Sequence, residues 1–247
     1  MNPANIPVLV NSFNQLTYLR SMLAQLRRLG MERVYVLDQA STYPPLLEFL
    51  KEIERHVTVI RLRDNNGPHW MFTSDFSTLL PEYFIYTDPD IRFPSNMPRS
   101  VVADLLRIAR ATNATKVGLA LDVSQPDKIK NAQLSIGGRT WTIPEWEAQF
   151  WAKRVRFAGY DLYKAPVDTT FALYQRKRFD PEIKRFQVGD AYYCMEMPGS
   201  FRLGGKYTSV HLPWMLDDPI PQEELDFYIA TRKSDVHEYL ERDPQVL

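Results

Sequence analysis

The sequence has only one cysteine, Cys194, among its 247 residues. A single thiol cannot build an internal disulfide framework or a metal site made of cysteines alone. A charge surplus is also absent, because 30 lysines and arginines balance 30 aspartates and glutamates. Proteins whose main partner is nucleic acid normally carry a basic surplus, so this balance predicts that nucleic acid is not a partner.

Long hydrophobic runs are missing as well. No apolar run approaches the roughly 20 residues that a helix needs to cross a bilayer, so no transmembrane segment is predicted. Residues 1–7 lack the basic start and apolar core of a signal peptide, which leads us to expect a soluble, cytoplasmic protein. The length and the hydrophobic fraction of 45% suit one large domain.

The first half of the sequence contains a regular alternation of short apolar runs and amphipathic stretches. Predicted strands cover residues 6–10, 34–37, 57–62, 83–87 and 116–121, and predicted helices cover 16–29, 43–55 and 98–111. This alternation predicts an α/β fold with a mostly parallel central sheet that helices cover on both faces. From about residue 125 the alternation lapses, and aromatic residues crowd into residues 141–157.

Polar residues follow the predicted strands at the points where the strands end. They are Asn11, Ser12, Asp38, Asn65, Asp88, Asp90 and Asp122. Ligands of parallel sheets bind beyond the carboxyl ends of the strands. The sequence therefore predicts a binding or catalytic site at this edge of the sheet.

The strongest local feature is Asp88-Pro89-Asp90, directly behind an apolar strand. Two carboxylates one residue apart leave a strand end on the same side, and both stay ionised readily only beside a cation. Mg²⁺ and Mn²⁺ take carboxylate oxygens and keep coordination places for substrate phosphate. The alternative is a polar turn without function, since Asp-Pro is common in turns.

An ordered series of segments resembles the nucleotide-sugar-dependent glycosyltransferases of the GT-A fold, especially the small bacterial enzymes of the family-2-like type. The segments are residues 8–14, 37–38, 63–67, 84–91, 167–174 and 207–214. The resemblance implies one GT-A-type domain with an aromatic-rich acceptor subdomain. Its nucleotide-binding half would span about residues 1–124, its acceptor and metal-histidine half 125–216, and a helical tail 217–247.

The same resemblance implies which residues bind the nucleotide. Asn11, Ser12 and Phe13 would contact the base and ribose. Asp38 would hydrogen-bond the base, which in this fold is typically uracil. Asn65 lies in the matching segment after the third strand and is expected beside the donor.

A DXD-type motif and a late histidine are the implied metal ligands. Asp88 would face the ribose or the metal, Asp90 would ligate Mn²⁺ or Mg²⁺, and His211 would complete the metal shell. Arg202 and Lys206 flank a glycine pair before His211, which predicts a mobile cationic flap over the donor phosphates. A packing role for His211 is the alternative.

A general base is needed if the sugar is transferred with inversion, which the resemblance favours. Asp168 is the first candidate and Asp122 the second, although either carboxylate also suits a turn or a cap. Trp141, Trp146, Trp151 and Tyr160 suit an acceptor-sugar site or the packing of a subdomain. His69 is expected to be structural or solvated.

These observations predict a metal-dependent glycosyltransferase that moves a sugar from a UDP-linked donor to a hydroxyl of a saccharide or related acceptor. A nucleotidyltransferase is an alternative, although such enzymes usually have a glycine-rich basic loop where residues 11–14 stand. A catalytically silent nucleotide-sugar-binding scaffold is the third. Many members of the resembled family build surface polysaccharides, which implies a cytoplasmic enzyme near the membrane face.

Overall fold

The computed structural model describes residues 2–73, 75–136, 138–178, 186–188, 191–193 and 199–232. The strands are β1 (Val8–Ser12), β2 (Val34–Asp38), β3 (Thr58–Arg61), β4 (Tyr83–Thr87), β5 (Ile91–Arg92), β6 (Lys116–Leu119), β7 (Gln133–Ile136), β8 (Arg139–Thr142), β9 (Arg154–Phe157), β10 (Tyr160–Lys164), β11 (Ala172–Gln175), β12 (Phe186–Val188), β13 (Ala191–Tyr193), β14 (Ser200–Leu203) and β15 (Val210–His211). The helices are α1 (Leu16–Arg28), α2 (Pro44–Ile53), α3 (Trp70–Thr73), α4 (Val101–Thr112), α5 (Ile143–Ala148) and α6 (Gln222–Thr231).

Nine strands form the central sheet in the order β3-β2-β1-β4-β11-β6-β14-β10-β9. The first four are mutually parallel, and β6 is parallel to β14. Among the strands that the structure describes in this sheet, β11 and β10 run against the others. The predicted fold class, α/β with a mostly parallel central sheet flanked by helices, is therefore confirmed. Short two-stranded sheets join β5 to β15, β7 to β8 and β12 to β13.

One face of the sheet is covered by the amphipathic helices that the sequence predicts. On α1, Leu19, Met22 and Leu26 recur at helical spacing and are all fully buried. On α4, Asn113 ends the helix in the left-handed conformation, with φ of 52°. Asparagine tolerates that conformation better than most residues, which explains why the helix stops there.

The opposite face of the sheet carries a second apolar cluster, in which Leu37, Phe84 and Tyr174 are fully buried. The chain from Pro166 to Thr169 crosses this face, and its Val167 packs into the cluster. Gly118 on β6 lies directly beneath Val167, where a side chain would collide with it. This close approach places Asp168 and Thr169 at the carboxyl edge of the sheet, where the Asp88 backbone N–H donates to the carbonyl of Thr169.

The helix α6 packs at the end of β1. Glu224 accepts hydrogen bonds from the backbone and hydroxyl of Thr17, and Asn14 donates to the hydroxyl of Thr231. The predicted helical tail is thus helical over Gln222–Thr231. Residues 233–247 and Cys194 lie outside the described residues. Among the helices that the structure describes, none combines the length and apolar character needed to span a membrane.

Candidate active site

Asp90 and His211 are brought together by the small β5–β15 sheet. Asp90 precedes β5, whose Ile91 pairs with His211 on β15, and the Leu212 backbone N–H donates to the carbonyl of Asp90 at 2.9 Å. This register places Nε2 of His211 3.3 Å from Oδ2 of Asp90. Two of the predicted metal ligands, separated by 121 positions in the chain, therefore share one mostly buried site.

The electrostatics of this pair favour a cation. Burial alone would lower the pKa of His211, but the carboxylates of Asp90, Asp88 and Asp168 outweigh it, so the net pKa is raised. The second oxygen of Asp90, Oδ1, is buried and accepts no hydrogen bond from the residues that the structure describes. A buried carboxylate oxygen without a partner is costly, and a bound metal ion would satisfy it.

Asp88 belongs to the same electrostatic cluster but points elsewhere. Its Oδ1 lies 3.3 Å from Nδ2 of Asn11, and its Oδ2 accepts a hydrogen bond from the hydroxyl of Thr169. Burial and the charge of Asp90 raise the pKa of Asp88 to about 8, while the hydrogen bonds from Thr169 and Asn11 oppose the rise. Two adjacent carboxylates in this setting do not both ionise readily without a nearby cation.

The predicted three-ligand metal site is not assembled in advance. Within the described part of the chain, no group of three or more His, Cys, Asp or Glu side chains is arranged to hold a metal ion. Of the three predicted ligands, Asp88 does not face the other two, because its two oxygens accept hydrogen bonds from Asn11 and Thr169. A carboxylate with an imidazole nevertheless fits Mn²⁺ or Mg²⁺, since such ions complete their shells with substrate phosphates and water.

His69, which was expected to be structural or solvated, is buried and contacts the carboxylate of Asp168. Nε2 of His69 lies 3.2 Å from Oδ1 of Asp168, which also accepts the backbone N–H of Thr169 at 2.9 Å. Burial raises the pKa of Asp168, but His69 and the charge of Lys116 lower it more, so the net pKa is below the ordinary value. Asp168 is therefore ionised.

Two buried cations hold the segment that carries Asp168. Nζ of Lys116 donates to the carbonyls of Val167 at 2.6 Å and Asp168 at 2.8 Å. Nε of Arg202 donates to the carbonyl of Pro166 at 2.5 Å. The carbonyl groups of residues 166–168 thus accept hydrogen bonds from the side chains of Lys116 on β6 and Arg202 on β14. These hydrogen bonds fix the backbone that carries the Asp168 side chain.

The prediction that Arg202 belongs to a mobile flap over the donor phosphates is wrong, because Arg202 is buried. It lies in β14, is only 2% exposed, and forms an ion pair with Glu147 of α5. Its guanidinium also stacks 4.1 Å above the Phe150 ring. A side chain enclosed in this way is part of the interior, because the buried carboxylate balances its charge. Lys206 is exposed, in the turn before β15, with Nζ 5.3 Å from the Tyr207 ring.

Glu147 is a site neighbour that the sequence reasoning missed. Burial raises its pKa to about 7, although the ion pair with Arg202 opposes the rise. The charge of His211 lowers the pKa of Glu147 slightly, and that of Asp168 raises it slightly. The capping box at Thr142 and Glu145 marks the start of this helix and was available in the sequence.

Asp122, the second candidate base, occupies a different place. Its Oδ1 accepts the backbone N–H of Ser124 at 2.8 Å, which is the turn geometry given as the alternative. Its side chain lines a surface cavity of about 130 Å³ with Arg92, Gln125 and Lys128. The structure therefore does not join Asp122 to Asp88, Asp90 and Asp168 through any contact among the described residues.

The predicted nucleotide-binding residues are linked by Gln39, which the sequence reasoning also missed. Nε2 of Gln39 donates to Oδ1 of Asn11 at 2.9 Å and to the Gly67 carbonyl at 3.2 Å. Oε1 of Gln39 accepts the backbone N–H of Asn66 at 3.1 Å, while Asn65 closes the turn by accepting from Gly67 at 3.0 Å. The loop after β3 is thereby tied to β1 and, through Asn11, to Asp88.

Asp38 is buried and already engaged. Its Oδ1 accepts the backbone N–H of Ser41 at 3.1 Å, and its Oδ2 lies 3.5 Å from Arg61. On the neighbouring strand, the hydroxyl of Ser12 is buried and has no hydrogen-bond partner among the described residues. Base recognition by Asp38 would have to use oxygen positions that these contacts leave open.

The helix α6 brings the aromatic ring of Tyr228 next to Phe13. The ring of Phe13 meets that of Tyr228 edge to face, with centroids 6.2 Å apart. Burial raises the pKa of Tyr228, and the charges of Asp90 and Asp88 raise it further. The Tyr228 hydroxyl therefore lies within electrostatic reach of both carboxylates.

Trp141 and Trp146, which were candidates for either an acceptor-sugar site or packing, pack against each other. Trp141 and Phe150 each meet Trp146 edge to face, with centroid distances of 5.8 and 5.5 Å. Trp151 instead packs on Tyr163 at 5.0 Å, and its buried Nε1 has no hydrogen-bond partner among the described residues. Packing thus accounts for the first group, and Trp151 remains a candidate for acceptor contact.

Comparison with known proteins gives distant structural likenesses. No protein-family model matches the sequence, and no curated protein matches it. The mannosyltransferase PcManGT from Pyrobaculum calidifontis, in complex with GDP-Man and Mn²⁺, is similar over 70% of this chain and 45% of that chain, with 17% identity and a TM-score of 0.42. A putative glucose-1-phosphate thymidylyltransferase from Bacillus anthracis, in complex with a sucrose, is similar over 70% of this chain and 73% of its own, with 12% identity and a TM-score of 0.42. The chain thus spans less than half the length of the mannosyltransferase.

Proposed function

We propose that the protein is a metal-dependent glycosyltransferase that transfers a sugar from a nucleotide diphosphate donor, UDP-linked in the first instance, to a hydroxyl of a saccharide or related acceptor. The observation that carries the proposal is the pairing of Asp90 with His211 beside Asp88 and Asp168, all at the carboxyl edge of the sheet. The resemblance to GT-A glycosyltransferases in residues 8–14, 84–91 and 207–214 supports the same function.

In this function Asp90 and His211 would hold Mn²⁺ or Mg²⁺, and the ion would stabilise the negative charge that develops on the departing diphosphate. Asp88 would remain tied to Asn11 and Thr169 and would face the donor ribose. Phe13 and Tyr228 would border the nucleotide, with Gln39 keeping the loop of Asn65 in place. These roles assign donor binding to β1, β4 and α6.

Asp168 would act as the general base. Its Oδ1 is occupied, but its Oδ2 accepts no hydrogen bond from the described residues, and 40% of its side chain is exposed. The acceptor hydroxyl would give its proton to Oδ2 while its oxygen bonds to the anomeric carbon. The bond from that carbon to the diphosphate would break, and its electron pair would leave with the diphosphate. Inversion at the anomeric carbon follows from this attack.

Release of nucleoside diphosphate is the direct test. Wild-type protein with Mn²⁺ is mixed separately with UDP-glucose, UDP-galactose, UDP-N-acetylglucosamine and GDP-mannose, with and without methyl glycosides as acceptors. We expect one UDP-sugar to release UDP, with faster release in the presence of an acceptor, and the release to be lost in Asp90→Asn. Stabilisation by CTP or ATP with Mg²⁺, together with pyrophosphate release from a nucleoside triphosphate and a sugar phosphate, would instead identify a nucleotidyltransferase.

A further inference from the structure

The contact between His69 and Asp168 joins two loops that are 99 positions apart in the chain. His69 is 7% exposed and follows Gly67 and Pro68 at the end of the loop after β3. The sequence offers no local reason for a histidine there to meet Asp168, because both segments reach the site only through the sheet.

The backbone that carries His69 is fixed residue by residue. Gln39 donates to the carbonyl of Gly67, and the Tyr86 hydroxyl donates to the carbonyl of Pro68 at 2.5 Å. The carbonyl of His69 accepts the backbone N–H of Phe72 at 3.1 Å. Tyr86 lies on β4, two positions before Asp88. The same strand therefore holds the backbone next to His69 in place and positions the DXD-type motif.

Asp168 is held in a complementary way. Lys116 and Arg202 bind the carbonyls beneath it, and the Thr169 backbone N–H with Nε2 of His69 binds its Oδ1. Both hydrogen bonds to the carboxylate, one from a backbone N–H and one from a side chain, therefore fall on one oxygen. The other oxygen, Oδ2, accepts none from the described residues, and 40% of the Asp168 side chain is exposed. Without His69, only the single bond from Thr169 would oppose rotation of the carboxylate.

We infer that His69 is a positioning residue, which orients the Asp168 carboxylate by occupying Oδ1 so that Oδ2 is presented to the acceptor hydroxyl. This inference rests on the proposed function, because it assigns to His69 a part in the same transfer. His69 need not touch substrate or exchange a proton with it. Its effect passes through Asp168, and a group that orients a reactive side chain typically contributes 10- to 100-fold, an order-of-magnitude range.

The test measures UDP release from the active UDP-sugar with Mn²⁺, with water or a methyl glycoside as acceptor. His69→Phe is expected to lower kcat by about 30-fold, with the Kd for UDP and Mn²⁺ changed less than about twofold. His69→Gln keeps an N–H donor and is expected to recover most of the rate. His56→Phe, at an exposed histidine, is the matched control.

A double variant separates positioning from an independent role. In an Asp168→Asn background, His69→Phe is expected to cause little further loss, because its effect passes through the carboxylate that is already gone. Full multiplication of the two single effects would overturn the inference, as would a His69→Phe enzyme with wild-type kcat. If the wild-type chain releases no nucleotide from any sugar donor, the proposed function fails first, and the inference with it.

Discussion

Gly118 and Val167 are packed so closely that a Cβ atom on Gly118 would lie 2.4 Å from Cγ1 of Val167. The same atom would lie 2.9 Å from Cβ of Ala172. Neither neighbour is the far end of a flexible side chain, and Val167 is fully buried. The glycine therefore lets residues 166–169 lie flat on the sheet, which is how Asp168 arrives at its place.

Gly118→Ala is accordingly expected to destabilise the protein by about 1–3 kcal/mol, because a methyl group is forced into a filled interior. Urea denaturation followed by circular dichroism measures this change. Activity should fall by more than the loss of folded protein, since the displaced segment carries Asp168. Gly118→Ala combined with Val167→Ala removes the collision with Cγ1 of Val167 and leaves the one with Cβ of Ala172. The double variant should therefore lose less unfolding free energy than the sum of the two single losses, and a loss larger than that sum would contradict this account.

Asp90→Asn and His211→Ala are expected to lower turnover at least 100-fold while changing the midpoint of unfolding little. The reason is that both side chains would hold the metal ion that stabilises the charge on the departing diphosphate. Mn²⁺ with UDP should raise the melting temperature of the wild type and of neither variant. Asp217→Asn, which removes an exposed carboxylate that lies 3.7 Å from Arg92, is the control. Turnover near the wild-type level in either variant at low Mn²⁺ would exclude that residue as a ligand.

The strands and helices that could be predicted are those whose own pattern of apolar residues indicates which side chains are buried. Residues 8–10 of β1 and 83–86 of β4 are continuous apolar runs that are buried on both faces, and α1, α2 and α4 carry an apolar stripe. The second half was missed because its strands depend on distant partners. Within β14, Arg202 indicates a solvent-exposed loop, and it is buried only because Glu147 supplies a carboxylate from 55 positions away.

The residues of the candidate site likewise fall into those that the sequence indicated and those that it did not. Asp88, Asp90 and His211 were proposed from the chemistry of a metal and a diphosphate, and the structure joins Asp90 to His211. His69 and Gln39 were not found, because their importance lies in hydrogen bonds across the sheet and not in a local motif. The catalytic roles of all these residues remain predictions that the variants address.

The ion pair between Arg202 and Glu147 offers a test of whether Arg202 is structural or binds phosphate. Both side chains are nearly inaccessible, at 3% and 2% exposure. Arg202→Met alone is expected to cost about 3–5 kcal/mol of unfolding free energy, because it leaves a buried carboxylate uncompensated. Adding Glu147→Leu should recover most of this loss. The double variant should also keep the wild-type Kd for UDP and Mn²⁺. A stable double variant with at least tenfold weaker UDP binding would restore Arg202 to the phosphate site.

The pH dependence of transfer follows from the surroundings of Asp168. Burial raises the pKa of this carboxyl, whereas the hydrogen bond and the electrostatic contribution of His69, together with the charge of Lys116, lower it further than burial raises it. Asp88, Glu147 and His211 are the other titratable groups that interact with it electrostatically. The base form is therefore retained to a lower pH than for an ordinary aspartate.

His69→Phe removes the largest lowering contribution and leaves burial in place, so the pKa of Asp168 should rise. The acid limb of the kcat/KM profile, which reports the free enzyme, should then move to higher pH. Stability obeys the same sign: a carboxyl whose pKa is lowered by folding stabilises the fold above its unfolded value and loses that contribution as the pH falls through the folded value. The wild type should therefore resist acid unfolding better than His69→Phe, whereas the control His56→Phe should follow the wild type in both measurements. An acid limb at the same pH in wild type and His69→Phe would mean that Asp168 is not the titrating base.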